Sequence, residues 1–473
     1  MKKIQWLDTS NYQDDAELLV FLQSPLGKCA MLAIFSVVLG MMGISWWPIK
    51  VPLLYPWWPM VTLALIITSF LPQYRLWCLS VFSVIGLFWL PWFSWPAFYA
   101  PSWYQESIAI VAVLLFCCIY LGLAHKMKSH WLMRHPIINL MVMIFLMIWL
   151  ASTWLSGSIK IYCWLFITVV SAYFWYISYT LLEVKQLNGL YGFSQVFAYL
   201  PFWGGTATPF PKGRMYLNKI ASLDALSLAR CQLSAFHLLL LAMLWHIALE
   251  SLLIMQQAWN IPSMKFVLSN FSSLSHQDVM FYWRVLLLHF IFQTLSFGMN
   301  GHIIIAIVRM AGFKAARNMD NPFFATSISD FWNRYYFYFK ELMVEVFFYP
   351  TFFSCFKKKP KLRLVFATVM AAGVGNSIYH LLAEIKVLQS FGLLKSIIMM
   401  QTYFFYALIL SIAIGISQLR AQRLSAVIPF WRRYLTIPLG VVGFYCILSV
   451  FNQPYYSTNI MINFQFLTKL VGL

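Results

Sequence analysis

The chain has 473 residues, 61% of them hydrophobic and only 10% charged. A soluble domain of this length carries about 25% charged residues because its surface faces water, so that class is excluded; apolar runs without polar–apolar alternation exclude a β-barrel. The formal charge of +19 is scattered over short loops, the pattern that orients membrane helices, which argues against a nucleic-acid partner.

Residues 1–27 are polar and mixed in charge, with Lys2, Lys3, Asp8, Asp14, Asp15 and Glu17. They lack the basic, apolar, small-residue order of a cleaved signal peptide and read as a cytoplasmic N-terminal segment. Apolar runs follow near 29–47, 52–72, 76–98, 107–124, 137–155, 160–182, 233–257, 285–308, 364–385, 393–416 and 434–451. The longer ones cover a hydrocarbon core about 30 Å thick at about 1.5 Å per residue. The expectation is an all-α polytopic membrane protein with about 11 transmembrane helices. Residues 28–182 form its N-terminal transmembrane half and 183–473 its second half. Trp-rich clusters at Trp46-Trp47, Trp57-Trp58 and Trp92 to Trp95 suit interfacial belts.

The stretch 336–355 is also apolar, but charge argues against a crossing. With the N-terminus inside, the basic residues from Arg75 through Lys126, Lys128, Arg134, Lys185, Lys219, Arg230, Arg309, Lys314, Arg317 and Arg334 fall on the cytoplasmic side. A crossing would put the Lys-rich run 357–361 and Arg420, Arg423, Arg432 and Arg433 outside. A re-entrant or interfacial segment keeps them inside, as the Lys/Arg bias requires, and leaves the C-terminus outside. Pro350 is expected to break the apolar segment and favour a dip.

Residues 183–232 and 309–363 are connections longer than a turn. Irregular backbone near the bilayer is tolerated only where protein buries it or it lines a wet cavity, so function is expected there. No internal repeat is visible. The eight cysteines show neither metal-ligand spacing nor a disulfide framework.

Nine histidines are present. His125, His130 and His135 sit in a basic loop, His276 in an outer loop, and His237, His246, His289 and His302 within spans, where bonds across helices account for them. His380 differs. It follows Gly373, Gly375 and Ser377, small residues that let helices approach, and Asn376 precedes it by one turn on the same face. An ionisable group inside a span is costly and marks a functional site by default; a neutral imidazole there suits a general base. Upstream lie Asn321-Pro322-Phe323-Phe324, then residues 327–336 and 347–350, which read as an interfacial aromatic helix capped by Ser329 or Asp330.

The order Pro322-Phe323, Ser327, Asp330-Phe331-Trp332, Arg334, Tyr349-Pro350 and a histidine in a Gly-containing span resembles the membrane-bound O-acyltransferase (MBOAT) family. The stretch 199–219 is similar to that family's aromatic, Gly-Pro and Arg loop before the catalytic half. The resemblance covers roughly residues 190–385 and makes 183–473 an MBOAT-like catalytic core with C-terminal transmembrane helices. Departures are Tyr379 and Leu381 beside the histidine, Tyr336 where the bacterial branch commonly has a second histidine, and Gly204 to Pro209 in the upstream loop. Asn333 resembles the second polar catalytic residue of the eukaryotic members.

The resemblance implies acyl transfer with His380 as general base and Asn333 as its companion. Asn376, Asp330, Trp332, Arg334, Lys212 and Arg214 are then expected to bind substrate, the cations holding phosphates of an acyl-CoA or acyl-carrier-protein thioester. It implies no metal and no bound cofactor. The acceptor is expected to be a hydroxyl of an envelope polysaccharide, glycan or lipid, the setting a bacterial inner membrane, and the partners membrane lipids and an accessory envelope protein. Two other readings stay open. A transporter or flippase of a lipid-linked glycan would need intramembrane charges, which are scarce here (Glu250, Arg284 and Glu384, at span edges). A catalytically inactive relative acting as a scaffold is kept open by Tyr336 and Leu381.

Overall fold

The computed structural model describes residues 15–43, 58–89, 100–127, 129–184, 192–202, 208–421, 429–452 and 459–473. Residues 1–14, the clusters Trp46-Trp47 and Trp92 to Trp95, Trp57, Lys128, Lys185, Gly204 to Ala207 and Arg423 lie outside these stretches. Among the described residues the secondary structure is helical, apart from one isolated bridge between Ala221 and Phe313. A helix satisfies its backbone within one segment, as a hydrocarbon surrounding requires.

The chain begins with α1 (Ala16–Gln23), whose Leu18 N–H is capped by Asp15, and α2 (Pro25–Gly43). A bent pair, α3 (Trp58–Phe70) and α4 (Arg75–Trp89), leads to α5 (Trp103–Lys126), α6 (Pro136–Thr153) and α7 (Gly157–Val184). The second half holds α8 (Arg214–Ile220), α9 (Ala225–Ala258), α10 (Val279–Met310), α11 (Ile328–Tyr335) and α12, a continuous helical run over 337–354. It ends with α13 (Pro360–Ala383), α14 (Ile385–Met399), α15 (Gln401–Ala421), α16 (Arg432–Phe451) and α17 (Ile460–Lys469). Nine of these are long and apolar enough to cross a membrane among the described residues, and the α3–α4 pair makes a tenth unit. The chain is an all-α, multi-pass integral membrane protein.

Two boundaries differ from the sequence expectation. The runs 52–72 and 76–98 become α3 and α4, helices of 13 and 15 residues bent by 118° across Leu71. Pro72 has no N–H to continue the α3 ladder. The run 393–416 becomes α15, preceded by the separate α14. Gly392 (φ 72°, ψ 172°) kinks α14 in a conformation open essentially only to glycine, a break that hydropathy does not register.

The segment 336–355 does not cross. Phe337 donates its N–H to the Asn318 carbonyl, just beyond Arg309 at the end of α10. At the other end, α12 leads to Pro360, and α13 then pairs Thr368 with Gln418 of α15 (2.8 Å). The adjacent Ser417 accepts from the Ser329 N–H of α11 (3.3 Å), while the Arg334 carbonyl of α11 accepts from the Asp320 N–H beside Asn318. Both ends of α12 therefore stay on the face that carries the basic loops. The C-terminus lies opposite: the Leu470 carbonyl accepts from Trp283 at the far end of α10.

Pro350, however, does not break this segment. A π-turn at Val344–Phe348 precedes it, and the wider turn takes up the missing N–H and the ring clash that would snap an α-helix. The result is one helix with no return inside it, folded back along α13.

The centre of the bundle is α7, whose apolar window is 83% buried against 33% for α6 and α9. Trp175, Tyr173, Tyr176 and Phe174 of α7 are fully enclosed. A helix apolar all round and buried all round is an axis about which others pack, and it fixes the position of α12 and α13 beside it.

Candidate active site

His380 is carried by α13 just past a second π-turn, Val369–Gly375. Such turns insert a residue into the α-helical register and occur often at functional sites. The small residues in this turn let neighbours close in. A Cβ on Gly375 would lie 2.6 Å from the Phe347 ring of α12, and one on Gly373 would lie 3.2 Å from Ser411 Oγ of α15.

Within the bundle, the His380 ring is half-buried. It stacks on Tyr403 of α15, with centroids 4.3 Å apart and planes 17° from parallel, and meets Tyr379 edge-on at 5.4 Å. Among the described residues no side chain hydrogen-bonds to it. Asn376, one turn earlier, is 1% exposed, and its Oδ1 has no partner among the described residues. A buried amide oxygen without a donor costs about 1–3 kcal/mol.

Thr208 gathers three distant elements. It is fully buried; its hydroxyl lies 2.6 Å from the Tyr379 hydroxyl and 3.0 Å from that of Tyr336, and its carbonyl accepts from the Tyr176 hydroxyl at 2.8 Å. The loop 199–219, the segment after α11 and the His380 helix are thus joined at one residue. Aromatic rings complete the wall: Trp175 stacks on Tyr379 (6.1 Å), Phe339 meets Tyr379 edge-on (4.6 Å) and stacks on Tyr336 (5.8 Å), and Trp332 meets Phe339 edge-on (5.5 Å).

Short α11 is capped by neither Ser329 nor Asp330 but by Ser327, which accepts from the Asp330 N–H at 3.0 Å. Asp330 turns back to accept from Thr326 N–H (2.9 Å) and from Arg334 Nε (2.9 Å). Asp330 and Arg334 therefore brace α11. Trp332 faces the aromatic wall. Asn333 is exposed, with neither a hydrogen bond nor a ring contact to His380 among the described residues; the structure brings Asn376, not Asn333, beside the histidine.

Lys212 is 12% exposed and donates to the carboxylates of Glu341 and Glu345 on α12, while Lys340 also donates to Glu341. Burial pushes the Lys212 ammonium down, but its hydrogen bonds to Glu341 and Glu345 outweigh this and hold it above the ordinary lysine value. Burial likewise pushes the Glu341 carboxyl up, and the bonds from Lys212 and Lys340 hold it below its ordinary value. Lys212 is already neutralised. It lines a cleft of about 430 Å3 with Tyr179, Glu183, Tyr216, Glu345 and Tyr349 on the basic face. Glu183 accepts from the Met215 N–H at 2.9 Å. Arg214 faces a second cleft instead.

Sequence reasoning passed over Thr208, Tyr403, Glu183 and Glu341. The two glutamates carried a signal: acidic residues are scarce, 14 in the whole chain, and those beside apolar runs need partners. Among the described residues no group of three His, Cys, Asp or Glu side chains is placed to hold a metal ion. Neither protein-family models nor curated proteins give a match to this chain.

Proposed function

We propose that the chain is a membrane O-acyltransferase of the MBOAT kind, moving an acyl group from a thioester donor to a hydroxyl acceptor. The observation that supports this most is the convergence at Thr208. The three segments that resemble the family meet there, at the Tyr379 next to His380. The His380 imidazole has no side-chain hydrogen bond among the described residues and lies one turn from Asn376, whose buried Oδ1 has no partner there either. A packing histidine would have its partners within the fold.

In this reading the acceptor hydroxyl gives its proton to His380 as its oxygen attacks the thioester carbonyl. The tetrahedral oxyanion takes a hydrogen bond from the Asn376 amide. Collapse breaks the C–S bond, and the proton passes from His380 to the departing thiolate, leaving ester and thiol. The aromatic wall of Trp175, Phe339 and Tyr379 keeps water from the thioester. With Lys212 neutralised and Arg214 facing the second cleft, the 357–361 run supplies the cations left to meet the donor's phosphates. A bacterial inner membrane and an envelope acceptor suit the strongly basic face.

The inactive-relative reading retains two supporting observations: Asn333 is exposed, and Tyr336 is engaged by Thr208. Mass spectrometry of envelope glycans and lipids from cells with and without the protein separates the two. Acyl transfer predicts an ester that disappears with the protein and with His380→Ala, while the variant still inserts. An ester that persists undiminished in His380→Ala removes His380 as the base.

A further inference from the structure

A second cleft opens on the basic face where the α3–α4 turn meets the start of α8. It encloses about 270 Å3, and Gln73, Arg75, Ser194, Arg214 and Asn218 supply its polar lining. Arg75 is 4% exposed. Its Nη1 donates to the carbonyls of Ser222 (3.3 Å) and Gly312 (3.2 Å), and its guanidinium lies 5.3 Å from the Phe313 ring centroid. Nε and Nη2 have no partner among the described residues, and no carboxylate there pairs with this cation. Gly312 (φ 93°) approaches so closely that a Cβ would lie 2.6 Å from Nη2, so the backbone is shaped around the guanidinium.

A buried charge is costly unless paired and hydrogen-bonded. Two carbonyls and a ring face compensate Arg75 only in part. Arg214, half-buried at the start of α8, forms no ion pair among the described residues either. Acidic side chains around α8 are engaged elsewhere: Asp224 on the Ser227 N–H, Glu183 on the Met215 N–H, and Glu341 and Glu345 on Lys212.

We propose that this cleft binds a phosphate group, with Arg75 and Arg214 as its charged contacts and Gln73, Ser194 and Asn218 as neutral donors at the rim. Two guanidinium groups with several neutral donors match the three or four oxygens of a phosphate better than the two of a carboxylate. The inference goes beyond acyl transfer and stands without it, because it concerns binding and not turnover. The phosphate comes either from a soluble anion or from the headgroup of an anionic lipid at the basic face.

The test uses the full-length protein in neutral detergent. Its melting temperature is followed with inorganic phosphate, and lipid retention is followed by native mass spectrometry with phosphatidic acid against phosphatidylcholine. Stabilisation by inorganic phosphate identifies a soluble source, and selective retention of phosphatidic acid identifies a lipid source. In either case Arg214→Gln is expected to weaken binding about tenfold, the loss of one charge-assisted hydrogen bond, with little change in the unliganded melting temperature. Arg75→Lys, which keeps the charge and loses the planar fork, weakens it as well. A wild-type protein that responds to neither probe, or an Arg214→Gln protein that binds as the wild type does, overturns the proposal; if Arg75→Lys fails to fold, Arg214→Gln alone decides.

Discussion

Thr208 and Tyr379, 171 residues apart, share a 2.6 Å hydrogen bond between their hydroxyls. The same Thr208 oxygen reaches Tyr336, so one small side chain ties the half-buried Tyr336 phenol to the buried Tyr379 phenol on the helix that carries His380. Replacing the hydroxyl by a methyl, as in Thr208→Val, leaves these phenols without that partner at nearly constant volume. The expected cost is about 1–3 kcal/mol, while Thr208→Ser keeps the bonds and loses only a methyl. Thermal unfolding in detergent should rank wild type and Thr208→Ser close together, with Thr208→Val below both. A Thr208→Val protein melting with the wild type would remove Thr208 as the clasp.

Close approach of α12 to α13 rests on Gly375, where a Cβ would meet the Phe347 ring at 2.6 Å. Gly375 is buried and the Phe347 ring half-buried, so Gly375→Ala is expected to cost about 1–3 kcal/mol through overpacking. Phe347→Leu makes room and should return part of that loss. A double-mutant cycle on melting stability measures the coupling, and simple additivity of the two changes would show that the contact does not limit packing.

Much of this fold follows from hydropathy alone, since a helix buried in lipid must be both long and apolar. What escaped were the places where local chemistry interrupts that pattern. Gly392 kinks α14, α14 ends at its C-cap Met400 within an apolar run, and Pro72 turns two apparent full spans into a sharply bent pair. Pro350 misled in the other direction, because the π-turn before it absorbs the ring. His380 and Asn376 were legible because a polar residue in a span is expensive. Thr208 was not: a threonine in a loop carries no cost until the fold buries it. The charge on Lys212 suggested phosphate binding, and only the fold shows the two carboxylates that already hold it.

Lys212 and Glu341 make a pH prediction with a definite sign. Glu341 sits below its ordinary value, so its share of stability is present above the usual carboxylate range and is lost as pH falls through the depressed value. Lys212 sits above its ordinary value, so its share is present below the usual lysine range and is lost as pH rises through the raised one. The cluster is therefore fully formed at neutral pH. Melting temperature followed from neutral to acid pH should fall more steeply for the wild type than for Glu341→Gln, which has no proton to take up there. Parallel acid limbs for the two proteins would show that the pair adds nothing to stability.

The two asparagines separate what the fold supports from what the sequence favoured. Asn333 is exposed on α11, whereas Asn376 is buried one turn from His380 with an oxygen that has no donor among the described residues. If His380 acts as the base, an oxyanion donor must lie beside it, and removing such a donor costs about 100-fold to 1,000-fold in rate. Asn376→Ala is therefore expected to lower ester formation by about that factor, while Asn333→Ala stays within about threefold of wild type, a change worth less than about 1 kcal/mol. Both are to be measured as initial rates on protein shown to be folded by its melting curve. Asn376→Asp adds a control: its shape is close, but a carboxylate cannot donate to an oxyanion, so its rate should match that of the alanine variant. A large loss in Asn333→Ala with none in Asn376→Ala would return the oxyanion role to α11 and require α11 to move toward His380 during turnover.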